Sequence, residues 1–142
     1  MDSAIASLIC TGVVNFHSTG IAGGGFMIVY DRSKKKSIMY DYREVGPASL
    51  TPTTYDGYTN NAKINGSAVG VPGELRGLKK AHVKYGKLKW ADLIQPSIDL
   101  AEAGTRIGSH MSKNLKSSST LKSVKNDPGS VSYTHLTLPT KA

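Results

Sequence analysis

The stretch His17–Asp31, HSTGIAGGGFMIVYD, places three consecutive glycines, Gly23–Gly25, directly before a strand-like run. A phosphate-binding P-loop needs glycines followed by Lys-Ser/Thr at the start of a helix, whereas Phe26 and a strand follow here. A dinucleotide fingerprint needs the order strand, glycines, helix, and the order here is reversed. The glycines are therefore predicted to be packing or turn residues that link a helix closely to a strand.

Hydrophobic periodicity around the glycines predicts an α+β fold. Helical spacing of apolar residues predicts a helix over Asp2–Val14, and FMIVYD, residues 26–31, is typical of a buried strand. SIMYDYRE, residues 37–44, alternates, with Ile38, Tyr40 and Tyr42 on one face. The five polar residues between these runs favour a β-hairpin, and a turn-rich loop is predicted over residues 45–67.

Two further helices are predicted in the second half of the chain. VGVPGELRGLKKAHVKYG, residues 69–86, shows helical spacing, with Pro72 near its start and Gly86 as a C′ residue. KWADLIQPSIDLAEAG, residues 89–104, predicts the next helix, with Pro96 in its first turn or at a break. Helices packed on only two strands would leave sheet edges unpaired, so the hairpin is expected to belong to a larger sheet.

The overall charge of +8 raises nucleic acid as a partner, but its distribution argues against one. Lysines are scattered along the chain without the interleaved aromatic residues of a nucleic-acid face, which favours solvated lysines. The four histidines, His17, His82, His110 and His135, lack metal-ligand spacing, so no metal and no cofactor are expected. No serine lies in a G-x-S-x-G elbow, and no apolar run approaches the length of a membrane span.

The last twelve residues, Val131–Ala142, differ in character from the Ser/Lys-rich residues before them. VSYTHLTLPTKA resembles the translation of a transposase adapter used in sequencing libraries. We therefore expect a partial domain over residues 1–130 and a non-native tail over residues 131–142. Asn65–Ser67, NGS, is a glycosylation sequon, which is weak evidence for secretion.

Arg43 ends an alternating strand just before a loop, in DYREVGP. A guanidinium in that position presents a planar pair of donors that matches a carboxylate. The alternative is a surface ion pair with Asp41 or Glu44, and the chemistry of the residues alone favours this pair.

Several motifs together resemble the γ-glutamyltranspeptidase, or glutathione hydrolase, family. The similar segments follow one another in order with compatible spacing over about Asp2–Leu115. They read MDSAIASLICTGVVNFHSTGIAGGGFMIVYD, YDYREVGP, VGVPGELRGLKKAHVKYGKLKW and LIQPSIDLAEAG. Several independent motifs coincide, which makes the resemblance far more specific than a lone glycine run.

The resemblance implies a large-subunit fragment of an N-terminal-nucleophile hydrolase with an αββα sandwich. In such enzymes a precursor cleaves itself, and the new N-terminal threonine of the small subunit attacks the γ-glutamyl amide of glutathione. Water or an amino-acid or dipeptide acceptor then takes the γ-glutamyl group. Animal members imply a membrane anchor, with the catalytic part on the extracellular side of the plasma membrane.

Carried over to this chain, the resemblance makes Arg43 the residue that binds the α-carboxylate of the γ-glutamyl donor, with Glu44 as its support. No catalytic residue is expected in this chain, because the threonine belongs to the missing small subunit. The isolated chain is therefore expected to be inactive. A related acylase of the same superfamily and a non-catalytic basic interaction module remain as alternative functions.

Overall fold

The computed structural model describes residues 1–58, 61–64, 66–119, 122 and 126. The sequon residue Asn65 and the tail 131–142 lie outside the described residues. The order of elements is helix, two strands, and then helices. Their bounds are α1 Asp2–Val14, β1 Phe26–Asp31, β2 Lys36–Asp41, α2 Asn61–Ile64, α3 Glu74–Tyr85, α4 Trp90–Ala103 and α5 Ser109–Leu115, with a 3₁₀ turn at Gly66–Ala68.

A helical core forms where α1 packs along α4 and contacts α3. Its buried side chains, which we call the helical core below, are Ile5, Ile9, Leu78 and Leu93. Ile5 and Leu78 are fully buried. Burial of such apolar side chains stabilises a helix in a protein more than the helix propensity of its residues does. The helix predicted over Asp2–Val14 is confirmed with these bounds.

The carboxylate of Asp2 fastens the start of α1 to the link between α3 and α4. It accepts backbone N–H hydrogen bonds from Lys87 at 3.0 and 3.2 Å and from Leu88 at 2.9 Å. The Leu88 bond, followed by the Lys87 bond, lowers the pKa of Asp2. The first helix is thus connected to residues more than eighty positions away by a charged acceptor as well as by apolar packing.

The predicted hairpin is confirmed as an antiparallel pair in which Phe26 lies opposite Asp41 and Asp31 opposite Lys36. Asp31 closes its turn, because its Oδ1 accepts hydrogen bonds from the Ser33 N–H and hydroxyl and from the Lys34 N–H. These contacts, led by the Ser33 hydroxyl, lower the pKa of Asp31 to about 2.

The prediction of a buried first strand is wrong for one face of the hairpin. Tyr40 is buried and its cross-strand partner Met27 is half-buried, so one face packs inward. The opposite face is exposed and apolar; this outer face consists of Phe26, Ile28, Tyr30 and Met39. The apolar run of β1 therefore reflects two different faces and not burial on both.

Helix α3 differs from the sequence prediction at its ends, whereas α4 agrees with its predicted bounds and differs only in the place of Pro96. Helix α3 begins at Glu74, two residues after Pro72, and Gly86 follows it with φ −73°, not in the left-handed conformation expected of a C′ glycine. Pro96 lies inside α4, which continues to Ala103 before Gly104 at φ 80°. Helix α5, the short helix α2 and the 3₁₀ turn were not predicted.

The fold is a mixture of helices with a two-stranded antiparallel sheet, in agreement with the predicted α+β class for a partial domain. The end of β2, the glycine-rich link before β1 and the start of α3 meet at one place. This meeting point positions Arg43.

Candidate functional site: the arginine at the end of β2

The site is built on the segment Tyr42–Glu44, which continues β2 beyond its last residue. The Tyr42 N–H donates to the Gly25 carbonyl at 3.0 Å, which extends the pairing with the first strand. The Arg43 N–H donates to Oδ1 of Asp41 at 3.1 Å. Hydrogen bonds from the Tyr42 and Arg43 N–H groups therefore hold the backbone here, although the Arg43 residue itself is exposed.

Three glycines approach this segment so closely that no side chain fits at their positions. A Cβ on Gly24 would lie 2.9 Å from the Glu44 nitrogen and 3.0 Å from the Arg43 Cα. A Cβ on Gly73 would meet the Tyr42 backbone, and one on Gly77 would meet the Tyr42 ring. Such distances are prevented by van der Waals repulsion, and in a close-packed interior the backbone cannot move aside without cost.

The carbonyl of Gly23 joins the glycine link to the start of α3. It accepts hydrogen bonds from the N–H groups of Gly73 and Glu74, both at 3.1 Å. A helix start has unpaired N–H groups, and this carbonyl satisfies two of them. We call Gly23–Gly25, Tyr42–Glu44 and Gly73–Gly77 together the glycine junction. The predicted role of the three consecutive glycines, a close-packed link between helix and strand, agrees with this geometry.

The guanidinium of Arg43 reaches outward from the glycine junction. Its Nη1 lies 3.1 Å from Oε2 of Glu44, and the two side chains are 55% and 27% exposed. The ion pair with Glu44 is the alternative that the residues alone favoured, and it is present. A guanidinium carries five donors, so one pairing with Glu44 leaves donors that can bind a second carboxylate.

A second carboxyl group, that of Glu74, lies near Glu44 over Gly23. Oε2 of Glu74 and Oε1 of Glu44 each lie 3.6 Å from the point where a Gly23 Cβ would be. Glu74 is only 6% exposed, and burial, followed by the charge of Glu44, raises its pKa. Burial and then the charge of Glu74 likewise raise the pKa of Tyr42. The site thus combines one exposed cation with two neighbouring carboxyl groups.

The structure brings together Arg43 and Glu44 as the sequence analysis expects. Sequence reasoning assigned no role to Glu74, Gly73 or Gly77, although all three lie in the quoted VPGELRG motif. In the sequence, Glu74 is an acidic residue at a predicted helix start, and such residues are ordinarily solvated there. Nothing in the sequence alone distinguishes that ordinary case from a carboxyl buried against the glycine link.

Other parts of the described chain offer less chemistry. Within residues 1–58, 61–64, 66–119, 122 and 126, no group of three His, Cys, Asp or Glu side chains could hold a metal ion. Among the helices that the structure describes, none has the length and apolar character of a membrane span. A shallow groove of about 540 Å³ lies on α5 and is separate from Arg43; it is lined by Ser109, Ser112, Lys113, Lys116 and Ser117.

The comparison with family models gives a match over residues 1–139 to the model described as gamma-glutamyltranspeptidase. Among curated proteins, the chain is 43% identical over 135 residues to Scoloptoxin SSD14 of Scolopendra dehaani, covering 90% of this chain and 23% of that protein. It is 44% identical over 120 residues to glutathione hydrolase 5 proenzyme of Rattus norvegicus, covering 83% and 21%.

A solved structure, the Helicobacter pylori gamma-glutamyltranspeptidase, is similar with a TM-score of 0.84 and 28% identity. The similarity covers 93% of this chain and 38% of that one. The chain therefore spans about a fifth of the length of the two curated relatives above. The motifs, the family model and the fold agree, and the chain belongs to the γ-glutamyltranspeptidase family.

Proposed function

We propose that this chain is part of an enzyme that cleaves the γ-glutamyl amide of glutathione and transfers the γ-glutamyl group to water or to an amino-acid or dipeptide acceptor. The observation that carries the proposal is the Arg43 guanidinium, half-exposed at the end of β2 and fixed at its backbone by the glycine junction. Family membership and the glutathione hydrolase among the relatives support the reaction class.

Arg43 would bind the α-carboxylate of the donor. A γ-glutamyl amide differs from an ordinary peptide amide by the free α-amino acid at its far end, so a planar guanidinium that pairs with this carboxylate selects the γ-glutamyl group. A rigid backbone under Arg43 makes this pairing effective, because little conformational freedom is lost on binding.

The chemical step would require residues outside this chain. The proposed nucleophile is the N-terminal threonine of a small subunit, whose hydroxyl oxygen adds to the amide carbonyl while its own amine takes the proton. The amide C–N bond then breaks as the leaving amine takes up that proton, and water or an acceptor amine attacks the γ-glutamyl ester and releases the threonine hydroxyl. The two subunits would complete the αββα sandwich, of which the hairpin and helices described here would form a part.

The decisive experiment begins with the full-length coding sequence at the genomic locus. A downstream autocleavage threonine and hydrolysis of glutathione by the purified product would support the proposal. A genuine stop codon after Ser130, or a full-length product without activity on any γ-glutamyl donor, would contradict it. The same locus decides whether residues 131–142 are encoded by a matching exon.

The role of Arg43 is tested by Arg43→Ala in the full-length protein. We expect kcat/KM for glutathione to fall by about 10²- to 10³-fold, the effect of losing a charge-assisted bidentate pair. The matched control is Arg32→Ala, which removes an exposed arginine from the hairpin turn. A donor without the α-carboxylate should be discriminated against by the wild type and not by the variant; unchanged kinetics would remove Arg43 from the site.

Activity of the full-length protein on a different acyl amide would favour the related acylase, and salt-dependent binding to nucleic acid without hydrolysis would favour the basic module.

The proposed location is the extracellular side of the plasma membrane, supported by the family resemblance alone. Labelling of intact cells with a membrane-impermeant reagent tests it, and protection of the full-length protein from the label would contradict it.

A further inference from the structure

We infer that Glu74 is a positioning residue for Arg43: it lies beside the Glu44 carboxylate and determines how firmly that carboxylate stays on the guanidinium. The inference rests on the proposed function, because its readout is recognition of the γ-glutamyl donor. Neither the family match nor the relatives' names assign a role to this glutamate.

The Glu44 carboxylate lies between two groups of opposite character. Its Oε2 faces Nη1 of Arg43 at 3.1 Å, whereas its Oε1 shares the space over Gly23 with Oε2 of Glu74. The two carboxyl oxygens are each 3.6 Å from the same point, so they are at most twice that distance apart. The side chain of Glu44 is thus held between an attractive cation and a second carboxyl group.

The position of Glu44 is also fixed by packing. A Cβ on Gly70 would lie 3.1 Å from the Glu44 Cβ, and Val45 pairs with Val71 immediately beyond. The Cβ of Glu44 therefore lies close to Gly70, and the backbone that follows it is held by the bridge to Val71. Burial, followed by the nearby charge of Glu44, raises the pKa of Glu74, since both disfavour its ionised form.

Glu74 is the more buried of the two, at 6% exposure. Its main chain is fixed by the hydrogen bond from its N–H to the Gly23 carbonyl. The titratable groups that face it are Glu44 and Tyr42, from the segment after β2, while the glycine link contributes the Gly23 carbonyl. An ionised Glu74 would repel Glu44 and disturb the ion pair that orients Arg43.

The test compares the pH dependence of donor recognition in the full-length enzyme and in Glu74→Gln. In the wild type, KM for glutathione is expected to rise by about tenfold as Glu74 ionises at pH above 4.5, with kcat changing less. Glutamine is neutral at every pH, so the variant should keep the low-pH KM and lose this rise. Titration of glutathione itself affects both enzymes equally, so it cancels in the ratio of their KM values.

Glu102→Gln is the matched control, since it removes the same charge from the exposed last turn of α4. It should retain the wild-type pH profile. In an Arg43→Ala background, Glu74→Gln should no longer change the profile, because the two residues act through one contact.

Three results overturn the inference: an unchanged KM profile in Glu74→Gln, a uniform loss of activity at all pH values, or an effect that persists without Arg43. A purely structural role of Glu74 predicts a uniform loss of activity at all pH values. An inactive wild-type protein would instead contradict the proposed function, so the two failures are distinguishable.

Discussion

The glycine junction adjoins one end of the hairpin whose outer face is apolar, but the two regions have opposite environments. At the junction, the Tyr42–Glu44 segment is enclosed so tightly that Gly24 and Gly73 cannot carry a side chain. A few residues away, Ile28 is 72% exposed and Phe26 is 62% exposed. The glycine junction is close-packed by residues of this chain, and the outer face is an exposed apolar surface.

This comparison shows that the segment carrying Arg43 is fully packed by residues of this chain, whereas the outer face is not. The glycine junction receives contacts from the start of α3 and the glycine link, all within residues 23–77. Scattered apolar residues on a surface are normal, but four on one sheet face form a contiguous patch. Substitutions in the two regions should therefore have very different consequences.

The largest expected effect is that of Gly24→Ala. Its methyl group would collide with backbone atoms of Arg43 and Glu44, which cannot move as a flexible side chain does. We expect the protein to lose at least about 3 kcal/mol of unfolding free energy, measured by denaturant unfolding. Gly108→Ala is the control, because nothing lies within 4 Å of its Cβ position. Equal stability of the two variants would contradict the close packing of the junction.

The next effect sets the helical core against the outer face. Leu78→Ala removes a fully buried side chain and should cost about 2–5 kcal/mol, including the cavity it leaves. Ile28→Ala removes a side chain of the same size from an exposed position and should change stability by no more than about 0.5 kcal/mol. Both variants are compared in this 142-residue chain without a small subunit, and a large loss in Ile28→Ala there would contradict the exposure of the outer face.

A smaller effect concerns the burial of Glu74 and depends on pH. Because the folded-state pKa of Glu74 is raised above 4.5, its protonated form stabilises the fold at low pH, and this contribution is lost as the pH rises through the raised pKa. Glu74→Gln should therefore be more stable than the wild type at pH 8, with the difference shrinking toward pH 4.5. Thermal melts across this range measure it, and a difference that grows at low pH would contradict the sign.

The smallest effect is expected at the exposed hairpin turn. The pKa of Asp31 is lowered from 3.8 to about 2, so its contribution to stability is present above 3.8 and is lost as the pH falls toward 2. Asp31→Asn should weaken the hairpin at neutral pH and remove this acid-dependent loss. An NMR titration of the Asp31 carboxyl should give a midpoint near 2; an ordinary midpoint would show that the turn contacts are absent in solution.

Much of the local structure could be predicted from the sequence. The helix over Asp2–Val14 and the hairpin follow from hydrophobic periodicity and turn residues, because these patterns reflect helix and strand geometry directly. The burial of β1 was not predictable in the same way. An uninterrupted apolar run is compatible with burial on both faces or on one, and only the neighbours of the sheet decide between them.

The sequence by itself determined the family signature, the α+β class and Arg43 as the residue of interest, since these depend on motifs and local periodicity. Only the tertiary structure decided that Gly24, Gly73 and Gly77 surround one backbone segment and that Glu74 is buried beside Glu44. These residues are separated by up to about fifty positions along the chain, and their interaction arises from the packing of α3 onto the end of β2. Close approach and desolvation depend on the distances between atoms, which no residue type or spacing specifies.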